Sequence, residues 1–277
     1  MRWNVFAAFI VGLLASTPPA MADETAKRIA LVIGVGNYHE QVIANAVPDA
    51  RLVANSLEAI RFDSVKLLTD PDKQTLQDAL QAFGVAAASA DIAVIYFAGD
   101  GFSVQGEQFL SPAGATLQRG DDAALLRQSL PLAEAVRLAG SARRLEFVIV
   151  DACRDDRRGS PVADTRGFLH PSQLVDPATL EMSHRVALKT TATPGAHPSV
   201  VVLFAASPGQ LAFDKVADKA NGPTALAFAH QIVRPGLDVI DLVREVHDEV
   251  ITLTGGRQEP TFTGSIGPGR LSLAPTP

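Results

Sequence analysis

Asp91-Ile-Ala-Val-Ile-Tyr-Phe97 is apolar almost throughout, and this run decides the fold class of the chain. An uninterrupted apolar run is typical of a central strand in a parallel sheet that is covered on both faces. The runs at 28–34, 145–150 and 199–205 have the same character. We therefore predict a buried strand at each of the four positions.

Apolar residues at helical spacing separate these strands. Val53, Leu57 and Ile60 recur at i, i+4 and i+7, and they predict a helix that begins near Pro48-Asp49. The same reasoning predicts a short strand at 65–68, helices at 76–87, 132–139, 223–233 and 239–253, and a short strand at 271–273 that closes the sheet edge. This alternation predicts an α/β fold in three layers, with a mostly parallel sheet of about six strands and helices on both faces.

The composition excludes several classes of protein. Hydrophobic residues make up 47% of the chain, which is enough for a packed core and rules out a disordered chain. The net charge is −6, without the basic excess of a nucleic-acid binder, so we expect no nucleic-acid partner. Cys153 is the single cysteine, which excludes an intramolecular disulfide framework and a Cys-rich zinc module.

The first residues carry the three-part pattern of a secretory signal peptide. Arg2 supplies a positive charge, residues 5–15 are apolar, and Ala20-Met21-Ala22 is a small-x-small cleavage site. We expect a signal peptide over residues 1–22 and a periplasmic or secreted protein. The alternative is a membrane anchor that stays attached, but its apolar run is shorter than the roughly 20 residues that a span requires. No later segment is long and apolar enough, so we expect no membrane span after cleavage.

Candidate site residues follow the strands, because open α/β sheets bind ligands at the carboxyl ends of their strands. These ends read Gly34-Val-Gly-Asn-Tyr-His39, Ala98-Gly-Asp-Gly101, Asp151-Ala-Cys-Arg154 and Ala205-Ala-Ser-Pro-Gly209. The first of them is a weak dinucleotide-binding motif, because it lacks the third glycine.

Cys153 stands where a strand would present a nucleophile, although a buried structural cysteine is equally consistent with its position. The irregular, proline-rich stretch 154–198 begins directly after it. Loops of this length in a compact domain are usually functional or disordered.

Several segments in order resemble the caspase-like peptidases (peptidase family C14), and most closely the bacterial caspase-family and metacaspase-related branch. They are Arg28-Ile-Ala-Leu-Val-Ile-Gly-Val-Gly-Asn-Tyr38, Pro48-Asp-Ala50, Ala93-Val-Ile-Tyr-Phe-Ala-Gly-Asp-Gly101, Val148-Ile-Val-Asp-Ala-Cys-Arg154, Ser207-Pro-Gly-Gln210, Pro235-Gly-Leu-Asp238 and Thr254-Gly-Gly-Arg-Gln-Glu-Pro260. The resemblance implies a caspase-like domain over residues 27–277 and a cysteine-type endopeptidase ancestry.

The resemblance also implies a Cys–His dyad, and here the chain departs from the family. Cys153 matches the nucleophile, and Gly101 lies where backbone N–H groups would bind the oxyanion. The position of the family histidine, however, is occupied by Asp100. A carboxylate is a poor acid for an amine leaving group, and its charge suppresses the neighbouring thiolate. We therefore expect an impaired enzyme, a pseudopeptidase.

The resemblance assigns Asp49 and Asp151 to an acidic pocket for a Lys or Arg side chain. A carboxylate pair suits such a cation, so the expected partner is a basic peptide or protein. Ordinary structural roles are the alternative: Asp49 next to Pro48 could start a helix, and Asp151 could be a hydrogen-bond acceptor at a strand end.

Two other functions remain open. An active endopeptidase would need a substitute base such as His39, or a histidine of the irregular stretch, namely His170, His184 or His197. A cation-binding structural module would place Ca²⁺ among five acidic residues, Asp49, Asp100, Asp151, Asp155 and Asp156. Their spacing does not resemble an EF-hand, and we predict no required cofactor. His230 and His247 lie on predicted helices away from the strand ends.

Overall fold

The computed structural model describes residues 26–39, 41–104, 106–117, 122–154, 198–216 and 219–276. Within these ranges the strands are β1 (Arg28–Gly34), β2 (Ser64–Thr69), β3 (Ile92–Ala98), β4 (Gly101–Val104), β5 (Glu107–Leu110), β6 (Leu130–Pro131), β7 (Leu145–Asp151), β8 (Ser199–Phe204) and β9 (Thr261–Ser265). The helices are α1 (Ala46–Ala59), α2 (Lys73–Ala87), α3 (Asp122–Gln128), α4 (Leu132–Ala139), α5 (Pro223–Ile232) and α6 (Val239–Thr254).

Six strands form the main sheet in the order β2-β1-β3-β7-β8-β9. All neighbours are parallel except β9, which runs antiparallel to β8. The four apolar runs form the centre of this sheet, as predicted, and every residue of β1, β3, β7 and β8 is buried. A smaller antiparallel sheet, β4-β5-β6, follows β3.

Helices cover both faces of the main sheet, which confirms the three-layer α/β prediction. Strand residues alternate between the faces, because successive side chains point to opposite sides. On one face, Leu31 packs in a cluster with α2 and α4. On the other, Val32 packs in a cluster with α1, α5 and α6. The helix starts are partly explained by capping: the Asp72 side chain accepts from the N–H of Thr75, and Asp238 accepts from Ile240.

One predicted element is wrong. Residues 271–273 do not form the edge strand, because their only pairing in the described structure is an isolated bridge between Ser272 and Asp238. The edge strand is β9, which pairs Phe262 with Leu203. The apolar alternation of 271–273 instead buries Leu271 and Leu273 against the face of the sheet that carries α1, α5 and α6.

Candidate functional site

The register of β3 and β7 brings Asp100 and Cys153 together. Ala98 is paired with Asp151 in this parallel pair, and each of the two candidate residues lies two positions beyond the end of its strand. Gly101 makes the close approach possible: a Cβ atom there would lie 2.9 Å from the Ala152 Cβ and 3.1 Å from the Cys153 carbonyl oxygen. The glycine therefore packs directly on the segment that carries Cys153.

Cys153 is partly exposed, and its backbone is tied to two segments. Its Sγ lies 3.8 Å from the carbonyl oxygen of Ala212. Its own carbonyl accepts a hydrogen bond of 3.1 Å from Nε2 of the buried Gln108 on β5. The following peptide donates to Gln210 O at 3.0 Å. The thiol is thus held between the small sheet and the segment that follows β8.

Asp100 is buried and bonded through both its backbone and its side chain. Its N–H donates to the Tyr38 hydroxyl at 2.6 Å, and its carbonyl accepts from the Ser111 N–H at 3.1 Å. Its Oδ2 accepts from the Ser111 hydroxyl at 2.7 Å. These bonds fix the orientation of the Asp100 backbone and of its carboxyl group.

Tyr38 is a further ionisable group in this corner. It is buried, and its hydroxyl donates to the Ser111 carbonyl at 3.3 Å. Burial raises its pKa well above the ordinary value for a phenol, and the Asp100 carboxylate raises it further. Tyr38 therefore remains a neutral phenol at physiological pH and cannot act there as an anionic base.

Asp49, Asp151 and Asp214 form a group that we call the acidic cluster. Asp49 lies in the first turn of α1 and is buried; its Oδ1 accepts from Asn221 Nδ2 at 2.8 Å and from the Gly222 N–H at 3.0 Å. Its bonding is therefore to the segment that leads into α5, and not to a cap of its own helix.

Asp151 ends β7, and its Oδ2 accepts from the buried Tyr96 hydroxyl at 2.7 Å. Thr224 and the Ala225 N–H also bond its carboxylate. Asp49 and Asp151 thus each accept several hydrogen bonds, which fix the orientation of their carboxyl groups.

The three carboxyls interact electrostatically. Burial raises the pKa of Asp49, the Asp151 carboxylate raises it further, and the bonds from Asn221 and Gly222 act in the opposite direction. Burial likewise raises the pKa of Asp151, against the bonds from Tyr96 and Thr224. The cluster therefore favours the arrival of a positive charge, either a proton or a cationic side chain.

Sequence reasoning missed Asp214. It lies on an irregular segment after β8, which no periodicity or motif marks. Its Oδ1 accepts from the Asn45 N–H at 3.3 Å, and its charge acts on both Asp49 and Asp151. Burial raises its pKa as well, while the bond from Asn45 and the charge of Lys215 oppose the rise.

The caspase domain family matches residues 27–267 of the sequence. The chain belongs to the caspase domain family. Membership indicates a cysteine-peptidase-like function, while the roles of individual residues stay predictions. The crystal structure of protein GSU0716 from Geobacter sulfurreducens is similar in fold, with a TM-score of 0.57 and 16% identity over 91% of this chain and 98% of that chain. A comparison with curated proteins finds no match.

Arg154, directly after Cys153, is a buried cation that sequence reasoning did not single out. Its guanidinium lies 3.9 Å from the ring centroid of Phe204, and Nη1 donates to Thr261 Oγ1 at 3.2 Å and to Ala206 O at 3.4 Å. Burial lowers its pKa to about 10, so it stays charged at neutral pH. It anchors the end of β7 against β8 and β9.

The histidines of the caspase domain divide into three groups. His39 is exposed after β1, and its N–H donates to Ala115 O at 3.2 Å. His230 and His247 lie on α5 and α6, as predicted, next to Glu249 and Asp248 respectively. The remaining three, His170, His184 and His197, lie outside the described residues.

The Ca²⁺ alternative gains no support from the structure. No group of three or more His, Cys, Asp or Glu residues has an arrangement that could hold a metal ion in the described part of the chain. Asp155 and Asp156, two of the five proposed ligands, lie outside that part.

No helix within the described ranges has the length and hydropathy to cross a membrane.

Proposed function

We propose that this chain is an exported caspase-family pseudopeptidase that binds the Lys or Arg side chain of a peptide or protein without hydrolysing it efficiently. The observation that carries the proposal is the pairing of two features at one sheet edge. Asp100, which is buried and hydrogen-bonded, stands where the family resemblance places the imidazole of the dyad. Asp49 and Asp151 of the acidic cluster stand at the positions that the resemblance assigns to binding of a basic side chain.

The catalytic impairment follows from acid–base chemistry. An imidazole has a pKa of about 6.5 and can both take the thiol proton and protonate the leaving amine. A carboxylate is a weak base, and its charge raises the pKa of an adjacent thiol. Loss of a general acid–base typically costs about 10²–10⁴-fold in rate. Tyr38 does not replace it, because its own pKa is raised well above the ordinary value.

Retained binding follows from the charge of the acidic cluster. Asp49 and Asp151 are both buried, and the charge of one makes ionisation of the other less favourable. Asp214 adds a third carboxyl. A Lys or Arg side chain in the cluster relieves that repulsion with charge-assisted hydrogen bonds. Because the carboxyls must lose their protons to bind the cation well, affinity should rise as the pH is raised from 6 to 8.

The catalytic half of the proposal is tested with reporter peptides that carry Arg or Lys before the cleaved bond. The chain should cleave them no faster than its Cys153→Ala variant. Turnover that disappears in Cys153→Ala would refute the pseudopeptidase. If turnover is also lost in His39→Ala, the alternative of His39 as a substitute base would be preferred.

The binding half is tested by calorimetry with acetyl-Arg-amide and its neutral analogue acetyl-citrulline-amide. We expect binding of the arginine probe alone, weakened about tenfold or more in Asp49→Asn. Asp78→Asn is the matched control, because Asp78 is an exposed residue of α2. Equal affinity for the two probes would contradict the acidic cluster as a cation site.

Export is tested by mass spectrometry of the periplasmic and secreted fractions of expressing cells. The expected mature N-terminus is Asp23, directly after Ala20-Met21-Ala22. Recovery of the full-length chain in the cytoplasm alone would argue against the signal peptide.

A further inference from the structure

Gln258 is a fully buried polar residue behind the acidic cluster. It lies between α6 and β9, and its side chain bonds to three different segments. Its Oε1 accepts from the Phe213 N–H at 2.7 Å, and its Nε2 donates to Ala205 O and to Thr224 Oγ1, both at 2.9 Å. Nothing in the proposed chemistry uses this residue, yet two of its partners adjoin members of the acidic cluster.

The orientation of the Gln258 amide is fixed by its partners. A backbone N–H can only donate, so the atom that faces Phe213 must be the amide oxygen. The amide nitrogen must then face Ala205 O and Thr224 Oγ1. The opposite orientation would set the amide hydrogens against the Phe213 N–H and leave a carbonyl oxygen facing another carbonyl oxygen.

This orientation determines where the Thr224 hydroxyl points. Thr224 is fully buried, and its oxygen accepts a hydrogen bond from Gln258. Its single hydrogen is therefore available to the Asp151 carboxylate, with which its side chain is hydrogen-bonded. An ionised carboxylate can only accept, so the chain of donors runs from Gln258 through Thr224 to Asp151.

The oxygen of the Gln258 amide holds the segment that carries Phe213 and Asp214. Phe213 precedes Asp214, and its N–H is the donor to Gln258 Oε1. The guanidinium of Arg257 lies 5.2 Å from the centroid of the Phe213 ring. Consecutive residues of one turn therefore hold Phe213 at its backbone and at its ring, and so hold the segment that carries Asp214.

We propose that Gln258 is a positioning residue for cation binding, which directs the Thr224 hydroxyl to Asp151 and holds the backbone that carries Asp214. This inference rests on the proposed function, because it assigns the binding of a Lys or Arg side chain to the acidic cluster. Gln258 touches no ligand itself; it acts through Thr224 and Phe213.

The test compares Gln258→Met and Thr224→Val with Gln231→Met. Methionine keeps the length of glutamine without its hydrogen bonds, and valine replaces the threonine hydroxyl with a methyl group. Gln231 is a matched control, because it is a buried glutamine of α5 that bonds to Glu249 and to no member of the acidic cluster. Each variant is measured for its affinity for acetyl-Arg-amide and for the pH at which the ¹³C signal of the Asp151 carboxyl titrates.

We expect Gln258→Met and Thr224→Val each to weaken the affinity about tenfold, the scale of one lost hydrogen bond to a charged group. Both should move the Asp151 titration to higher pH, because Thr224→Val removes a donor to the ionised carboxylate and Gln258→Met leaves that donor without its fixed direction. The double variant should shift this titration by less than the sum of the two single shifts, since both residues act through the Thr224 hydroxyl. The titration also senses the other ionisable groups around Asp151, which are Asp49, Asp214 and Tyr96, with Lys215 acting on Asp214.

The outcomes separate this inference from the proposed function. An unchanged affinity and an unchanged Asp151 titration in Thr224→Val, or in a folded Gln258→Met, would overturn the inference. An equal change in Gln231→Met would also overturn it, because general destabilisation would then explain the effect. If the wild-type chain binds no arginine probe but the Asp151 titration still moves in Thr224→Val, the proposed function fails and the positioning of Asp151 stands.

Discussion

The backbone of Asp100 is held by hydrogen bonds that any amino acid could make. Its N–H donates to the Tyr38 hydroxyl and its carbonyl accepts from the Ser111 N–H, while its contact with the Ser111 hydroxyl depends on the carboxylate. The turn around it depends on glycines: Gly99 has a φ of 159°, and Gly101 packs on Cys153. A different side chain at position 100 would therefore be presented from the same place.

Asp100→His should restore measurable hydrolysis after Arg or Lys. The imidazole would remove a negative charge beside the thiol and supply the acid for the leaving amine. The gain should vanish when Cys153→Ala is added, and it should fall with Asp151→Ala through lost substrate binding. Hydrolysis of reporter peptides measures both effects. A folded Asp100→His variant that stays inert would show that more than the base is missing from the site.

Glu146 is a buried carboxyl on β7 that the proposed function does not use. Its Oε2 lies 3.5 Å from the Ser141 hydroxyl, and its Oε1 has no hydrogen-bond partner. Burial raises its pKa to about 8, against the bond from Ser141. An acid whose pKa is raised by folding stabilises the folded state below its unfolded pKa, and that stability is lost as the pH rises through its folded pKa.

Glu146→Gln should therefore make stability less sensitive to pH. Between pH 4.5 and pH 8.5, the wild-type chain should lose about 4 kcal/mol of unfolding free energy that the variant retains. Urea denaturation at the two pH values measures the difference. Any pH-independent effect of the glutamine amide on stability is the same at both values and cancels. Glu58→Gln, at an exposed position of α1, is the control and should follow the wild type. Parallel curves for Glu146→Gln and wild type would contradict the prediction.

At the scale of elements, helix propensity and packing oppose each other at Gly84 in α2. Alanine at a helix interior is favoured over glycine by about 1 kcal/mol. A Cβ at position 84, however, would overlap the Leu138 carbonyl oxygen and come within 3.2 Å of the Ala139 carbonyl oxygen. Both are backbone atoms at the end of α4, so they cannot move aside by a change of rotamer.

The steric overlap should outweigh the gain in helix propensity. Gly84→Ala should therefore lower the unfolding free energy by about 1–3 kcal/mol, the usual cost of overpacking. Val85→Ala, at a neighbouring residue of α2 that is 77% exposed, should be close to neutral. Thermal or urea denaturation measures both variants. A stabilised Gly84→Ala would mean that α2 and α4 can separate without cost.

The elements that the sequence predicted well are those with strong periodicity. Buried parallel strands are continuous apolar runs, and the long helices carry apolar residues at i, i+4 and i+7. The hairpin of β4 and β5 was missed because each strand has four residues, too few to show a period. The edge strand β9 was missed because its sequence Thr261-Phe-Thr-Gly-Ser265 is mostly polar, and its place depends on pairing with β8.

The candidate site divides in the same way. Cys153, Asp100 and Asp151 could be found because each ends or closely follows an apolar run that predicts a buried strand. Asp214 and Gln258 could not, since each lies on an irregular segment and contributes through contacts across the fold. Nothing along the chain indicates that residue 258 will bond to residues 205, 213 and 224.

At the scale of the whole molecule, the last residues close the fold onto its first strand. Arg28 of β1 donates to Leu273 O at 2.8 Å, and to Ile60 O and Arg61 O beneath α1. Leu271 and Leu273 are buried on the same side of the sheet. These residues follow the end of the family match at 267, yet they belong to the core.

A chain that ends at Pro268 should therefore lose about 4 kcal/mol or more of unfolding free energy. Two leucine side chains leave the core at about 2 kcal/mol each, and the Arg28 guanidinium loses an acceptor. A chain that ends at Pro275 is the control, because it keeps Leu271, Leu273 and the bond to Arg28. Urea denaturation of the two truncated chains measures the loss; equal stabilities would show that the segment is dispensable.

The turn that presents residue 100 has a consequence for inheritance. Aspartate and histidine codons differ only in their first base, so one nucleotide exchange converts either residue into the other. Because Gly99 and Gly101 shape the turn and the Ser111 N–H bonds to the carbonyl of residue 100, neither aspartate nor histidine requires a second mutation for the turn to form. A single point mutation therefore separates this gene from one that encodes histidine at position 100, in either direction.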